Sequence, residues 1–279
     1  MGNFFGLFKN KKKQELRLAN LPELLNAKLL FVGKPVIDTV RVLEELRKRF
    51  DNVESSNDDK VLLFFFPDFK VALKDATIPA QCSVFIPNDD SPGVEIAERA
   101  LQQNWHWKGA SEAAANCKYE ILITDLMTSA MDYKKRVDLF MNFLIAILKA
   151  MNPQVIYMVG AEKLIEPATL IKASENGEAL FGLINVRLFK VSNGDNREMF
   201  MDTVGLSFLG LPDFQIRFTA LNENEVAERL WDYAYYVFEK GDVINNGNTV
   251  AGIGPDAKWK CMRQPSLAKP ERGVITITL

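Results

Sequence analysis

Val61-Leu62-Leu63-Phe64-Phe65-Phe66-Pro67-Asp68-Phe69-Lys70-Val71-Ala72-Leu73 is the stretch that decides the class of fold. Its first six residues are apolar without a break and rich in aromatic and branched side chains, the composition of a buried strand. Pro67-Asp68 is a turn pair, so the pattern predicts two strands, 61–66 and 69–73, joined by a tight turn. Upstream, residues 51–60 form a polar loop rich in Ser, Asn and Asp. Before it, Val36, Val40, Leu43 and Phe50 fall near helical spacing, which predicts a helix over 36–49 behind Pro35. Leu29-Leu30-Phe31-Val32, closed by Gly33, reads as a first strand. Downstream, Pro92-Gly93 leads into a helix over 94–103, and Tyr119 to Thr124 is an apolar strand. Ser83 to Ile86 is a candidate for one strand more. The order over 27–126 is strand, helix, strand, strand, helix, strand, the ferredoxin-like βαββαβ succession.

The remainder continues as an α/β (α+β) chain with mixed sheets and packed helices. Ser129 is a candidate cap, with Asp132 its acidic partner, for a helix striped by Val137, Phe140, Met141, Leu144, Ile145 and Leu148. Val155 to Val159 reads as a buried strand and 167–173 as a short helix. Ile184 to Val191 and Glu198 to Val204 flank Ser192-Asn193-Gly194-Asp195-Asn196, a hairpin by composition. Phe214, Ile216 and Phe218 alternate with polar residues. Asn222 can cap a helix that ends at Gly241. Alternation returns at Trp259 and Cys261 and again at Ile275, Ile277 and Leu279. The expected organisation is a tail, 1–20, and an α/β domain, 21–279, divisible into subdomains 27–126 and 127–279.

Composition narrows the function classes. The chain has 279 residues, 34 basic and 36 acidic, for a net charge of −2. That balance argues against a dedicated nucleic-acid binder, which needs a basic surface. Cys82, Cys117 and Cys261 are widely spaced and form no CxxC pair, so four-ligand zinc patterns are missing and a reducing, cytoplasmic setting is expected. No apolar run approaches the ~18 residues of a membrane span. Phe4, Phe5, Leu7 and Phe8 precede Lys9, Lys11, Lys12 and Lys13, so membrane contact is a possibility only through residues 1–13.

Few residues point to chemistry. His106, the sole histidine, stands between Trp105 and Trp107 after a helix. It could serve as a general base, yet no nucleophile motif accompanies it. Asp125 ends an apolar strand and Glu162 follows another, positions where α/β sites often lie; two such carboxylates could hold a divalent cation. Gly252-Ile253-Gly254 precedes a strand instead of opening a helix, so it is no dinucleotide loop, and no cofactor is expected. Trp231, Tyr233, Tyr235, Tyr236 and Phe238 crowd one helix; any that face outward are candidate partner anchors.

Thr203-Val204-Gly205-Leu206-Ser207-Phe208-Leu209-Gly210-Leu211-Pro212-Asp213-Phe214, then Gly241-Asp242-Val243-Ile244 and Gly247-Asn248-Thr249-Val250-Ala251-Gly252, resemble the C-terminal half of the bacterial family called domain of unknown function 4261. The resemblance runs from about Ala27 to Leu279 and is clearest after residue 180. Its members often carry a histidine before the strand that matches Tyr119 to Thr124; here that stretch is Ala115-Asn116-Cys117-Lys118. The Gly-Leu-Pro-Asp turn also resembles one in suppressor-of-fused-type domains, some of which are thought to be immunity or protein-binding modules. The leading expectation is a non-enzymatic protein-interaction module, immunity-like, with another protein as partner. Its rivals are an enzyme or metal binder using Asp125 and Glu162, and a peripheral membrane factor.

Overall fold

A computed structural model describes residues 19–57, 61–86, 92–193 and 196–279. Residues 1–18 of the expected tail, with the membrane contact through residues 1–13, lie outside the described residues, whereas Asn20 bonds to the Leu211 and Gly273 carbonyls. The chain divides into two compact units, Leu24–Leu183 and Ile184–Leu279, the latter together with residues 19–23.

The first unit contains β1 (Asn26–Phe31), α1 (Thr39–Arg47), β2 (Glu54–Asn57), β3 (Val61–Ala72), β4 (Thr77–Phe85), α2 (Glu98–Gln102), α3 (Ala110–Ala115), β5 (Tyr119–Leu126), α4 (Tyr133–Met151), β6 (Val155–Met158), β7 (Lys163–Ile165) and α5 (Pro167–Glu175). Its seven strands form one sheet in the order β2-β3-β4-β5-β1-β6-β7, with antiparallel neighbours throughout. In place of the expected succession the order is strand, helix, three strands, two helices, strand, and the sheet is not ordered as a ferredoxin-like unit. There the first and third strands of the motif are neighbours; here β5 lies between β4 and β1.

Pro67-Asp68 does not turn the chain. β3 runs through it as one strand, with its register against β4 shifted between Phe66 and Lys70. Proline cannot donate to the ladder, and a bulge accommodates that loss without ending the strand. The candidate strand at 83–86 is the far end of β4, which pairs with β3 along its length.

Strand alternation puts Leu62, Phe64, Phe66, Ala80, Cys82, Val84, Ile121 and Ile123 on one buried face. α4 covers that face, and Phe143 reaches Phe64 at 5.7 Å and Phe66 at 6.1 Å between ring centroids. The cap of α4 is Asp132, not Ser129: its carboxylate accepts from the Lys134 and Lys135 amides at 3.1 Å. On the other face, Leu30, Val155, Tyr157 and Leu164 pack against Ala100, Ala110, Ala114 and Cys117. α4 and α5 thus belong to the first sheet, and the units part at residue 183 rather than near 127.

The second unit contains β8 (Asn185–Asn193), β9 (Asn196–Val204), a 3-10 turn (Leu206–Leu209), β10 (Asp213–Phe218), α6 (Glu223–Lys240), β11 (Thr249–Ala251), β12 (Lys258–Pro265) and β13 (Gly273–Thr278). β8 and β9 are the expected hairpin. The sheet runs β11-β12-β13-β10-β9-β8, parallel between β10 and β13 and antiparallel elsewhere. Asn222 caps α6, and Gly241 ends it at φ 82°. The helix buries Val226, Leu230, Tyr233, Ala234 and Val237, and Tyr233 meets Phe214 of β10 at 5.5 Å.

The opposite face of this sheet hides charge. Arg272 donates to Asp213 at 3.0 Å and to Asp202 at 2.8 Å, and Arg187 also grips Asp202, at 2.9 and 2.5 Å. All four side chains are at most 3% exposed. Removing one member leaves an uncompensated buried charge, so Asp202→Ala is expected to cost about 3–5 kcal/mol. Hydrogen exchange of the β9 and β10 amides reads that loss locally.

Candidate functional site

Each residue singled out in the first unit can be placed. Asp125 stands on the α4 face of β5 with no exposure. Arg136 of α4 donates to it at 2.6 and 3.1 Å, Thr128 at 2.5 Å, and the Leu25 amide at 2.8 Å. A carboxylate so enclosed fastens α4 and the chain before β1 to the sheet. Glu162 sits in the β6–β7 turn at φ 47° and accepts both Nε and Nη2 of Arg99, the latter at 2.5 Å. The two carboxylates therefore each close on an arginine of their own. Among the described residues no cluster of three or more His, Cys, Asp or Glu could hold a metal ion.

His106 is held by its Nε2, 2.8 Å from the Leu164 carbonyl. A carbonyl only accepts, so that nitrogen carries the proton. The ring meets Phe181 edge-on. Burial, and then the nearby Lys163 ammonium, push its pKa down to about 4. Trp105 is exposed, while Trp107 packs against the α2–α3 cluster. Beneath His106 lies a group that sequence reasoning passed over. Lys163 is 2% exposed; its Nζ donates to the Phe181 carbonyl at 2.5 Å and stands 4.0 Å from the Phe181 ring centroid. Desolvation lowers its pKa to about 7, against a smaller upward pull from Glu178. A lysine beside Leu164 and Ile165 in a three-residue strand was the available signal.

The second unit carries a different feature. α6 and the segment after it enclose a groove of 610 Å³, lined on the helix side by Arg229, Asp232, Tyr233 and Tyr236 and on the other by Val243, Ile244 and 248–251. Of the five aromatics on the helix, Tyr233 and Phe238 are core, and Trp231 stacks on Tyr235. Tyr236 is 49% exposed and Val243 44%. Arg229 and Asp232 pair at 2.8 Å at the lip. Below them Tyr233 donates its hydroxyl to the Ala251 carbonyl at 2.5 Å. Burial raises the pKa of that phenol, so it remains a donor through the physiological range. Gly252 follows β11, and a Cβ there would stand 2.6 Å from the Trp259 indole nitrogen.

The groove, α6 and all of β10 to β13 lie within one continuous stretch of sequence. Residues 202–278 match the model of a family described as a domain of unknown function, DUF4261. The matched segment begins at Asp202, inside the buried charge network, and takes in both walls of the groove. No curated protein and no solved structure matches the chain. Among the described residues no helix is long and apolar enough to cross a membrane.

Lys163 gives this region a measurable pH signature. Its folded pKa, about 7, lies below its ordinary 10.5. Between those values the unfolded chain binds the extra proton, so rising pH favours the folded state. The cost of burying the charge is present in full below pH 7. Thermal unfolding of wild type and Lys163→Met from pH 6 to 9 is expected to show a stability difference that favours Met at pH 6 and shrinks as pH rises. A difference independent of pH would mean that Lys163 is not held in this way.

Proposed function

We propose that this chain is a protein-binding module whose docking surface is the groove between α6 and β11. The observation that carries this reading is the half-exposed Tyr236 standing over a 610 Å³ groove beside exposed Val243. A tyrosine at such a place buries large apolar area at little entropic cost and keeps a hydroxyl for hydrogen bonding. The rival reading, catalysis or metal binding through Asp125 and Glu162, needs carboxylates open to a ligand, and both are engaged by arginines. An immunity-like role in the cytoplasm is the finer form of this proposal, and the resemblance of the Gly-Leu-Pro-Asp turn is its support.

Affinity capture with the tagged full chain, from the cells that produce it, tests the reading. One protein is expected at matched stoichiometry. Tyr236→Ala should weaken its retention about 30-fold, the loss of ~2 kcal/mol typical of an aromatic anchor. Glu162→Gln, outside the groove, should retain it as wild type does. A partner that Tyr236→Ala holds equally well would remove the groove from the function.

A further inference from the structure

We infer that the groove takes its partner as an extended segment with an apolar centre that adds to β11 as a further strand. The inference rests on the docking reading above and names the conformation of what docks. β11 is the last strand of its sheet. Its register with β12 sets Thr249 opposite Lys260, Val250 opposite Trp259 and Ala251 opposite Lys258. Just outside these pairs, the Cys261 amide donates to the Asn248 carbonyl and the Gly252 amide to the Ala257 carbonyl. In an antiparallel ladder hydrogen-bonded pairs alternate with non-bonded ones. The pairs 248/261 and 252/257 are bonded, so 250/259 is the bonded pair between them. The N–H and C=O of Thr249 and Ala251 therefore point away from β12.

Those outward groups fall on the groove side, because Tyr233, a groove-lining residue, reaches the Ala251 carbonyl. The Ala251 carbonyl is taken by the Tyr233 hydroxyl, so the groove's floor is edged by the Thr249 N–H and C=O and the Ala251 N–H, with a helix as its facing wall. That two-residue spacing fits an extended chain, whose own groups alternate with the same period. A helix, with its backbone bonded internally, has nothing to offer such an edge. Thr249 and Ala251 are both exposed, and Tyr236 and Val243 supply the apolar contact beside the edge.

The test selects phage-displayed random dodecapeptides on the intact chain, then titrates a selected peptide against variants by calorimetry. Expected are peptides with an apolar centre, weakened about ten-fold or more by Thr249→Pro, which removes one outward N–H without touching the β12 ladder. Thr249→Ala keeps that N–H and should bind within about two-fold of wild type. Should Thr249→Pro disturb the fold, amide exchange on the wild-type chain decides instead: peptide must slow exchange at Thr249 and Ala251. Peptides lost by Tyr236→Ala but indifferent to Thr249→Pro, with no slowing at those amides, would overturn strand addition and leave the docking reading standing. No selected peptide, or only peptides indifferent to Tyr236→Ala, would sink the docking reading itself.

Discussion

The second unit is built around a guanidinium almost wholly withdrawn from water. Arg272 lies between Asp202 of β9 and Asp213 of β10, and also donates to the Thr203 carbonyl at 2.6 Å. Its remaining hydrogen bonds go to the carbonyls of Ala268 and Pro270, in the loop between β12 and β13. Arg187 completes the group by bonding Asp202 and the Lys269 carbonyl. A buried charge of this kind is tolerable only where every partner is in place, so the network fixes the loop, the hairpin and the central strand at once. Such a network contributes less to net stability than its number of bonds suggests, because desolvation offsets most of the attraction. Its stronger effect is to penalise every arrangement in which one partner is missing.

The same network accounts for the motif that carries the family resemblance. Asp213 accepts from the Leu206 and Ser207 amides, which start the 3-10 turn, and from the Thr203 hydroxyl. Gly210 sits at φ 79° with Pro22 where a Cβ would come within 3.1 Å. Asn20 ties the preceding chain to Leu211 and Gly273. Gly-Leu-Pro-Asp is thus a joint of the scaffold, and its distinctive residues are spent on folding. The second motif, 241–252, is different in kind, since Val243, Ile244 and 248–251 form the groove's outer wall.

Periodicity made most elements of this chain legible, for a physical reason: strands and helices with one buried face must alternate at two or repeat near 3.6. The β8–β9 hairpin, the Asn222 cap and the Gly241 stop all follow local rules and all appear. Failures came where a distant partner outvoted local chemistry. Pro67-Asp68 has turn residues, yet the ladder with β4 resumes at Lys70 and carries the strand on. Ser129 has cap chemistry, but Asp132 holds the amides of the first turn. Sheet order was beyond reach altogether, since nothing in the succession of elements says that β5 inserts between β4 and β1. Among site residues, Asp125 and Glu162 were identified by their strand-end positions. Their arginines, Arg136 and Arg99, lie 11 and 63 residues away, and no spacing rule pairs them.

That contrast bears on how a surface is read for function. In this chain the conspicuous titratable groups are satisfied: Asp125 by Arg136, Glu162 by Arg99, Lys163 by the Phe181 carbonyl and His106 by Leu164. Enclosure of this kind is what burial demands of charge, and it leaves little capacity for a ligand. Capacity remains where the backbone itself reaches the surface. Thr249 and Ala251 present main-chain groups that no strand of the described structure covers, and such groups do not show in composition, because every residue but proline carries them. An edge with a half-exposed tyrosine beside it is visible only once register is known. On the strand-addition proposal, recognition falls to the plainest residues, Thr249-Val250-Ala251, while Asp125, Glu162 and Lys163 hold the fold.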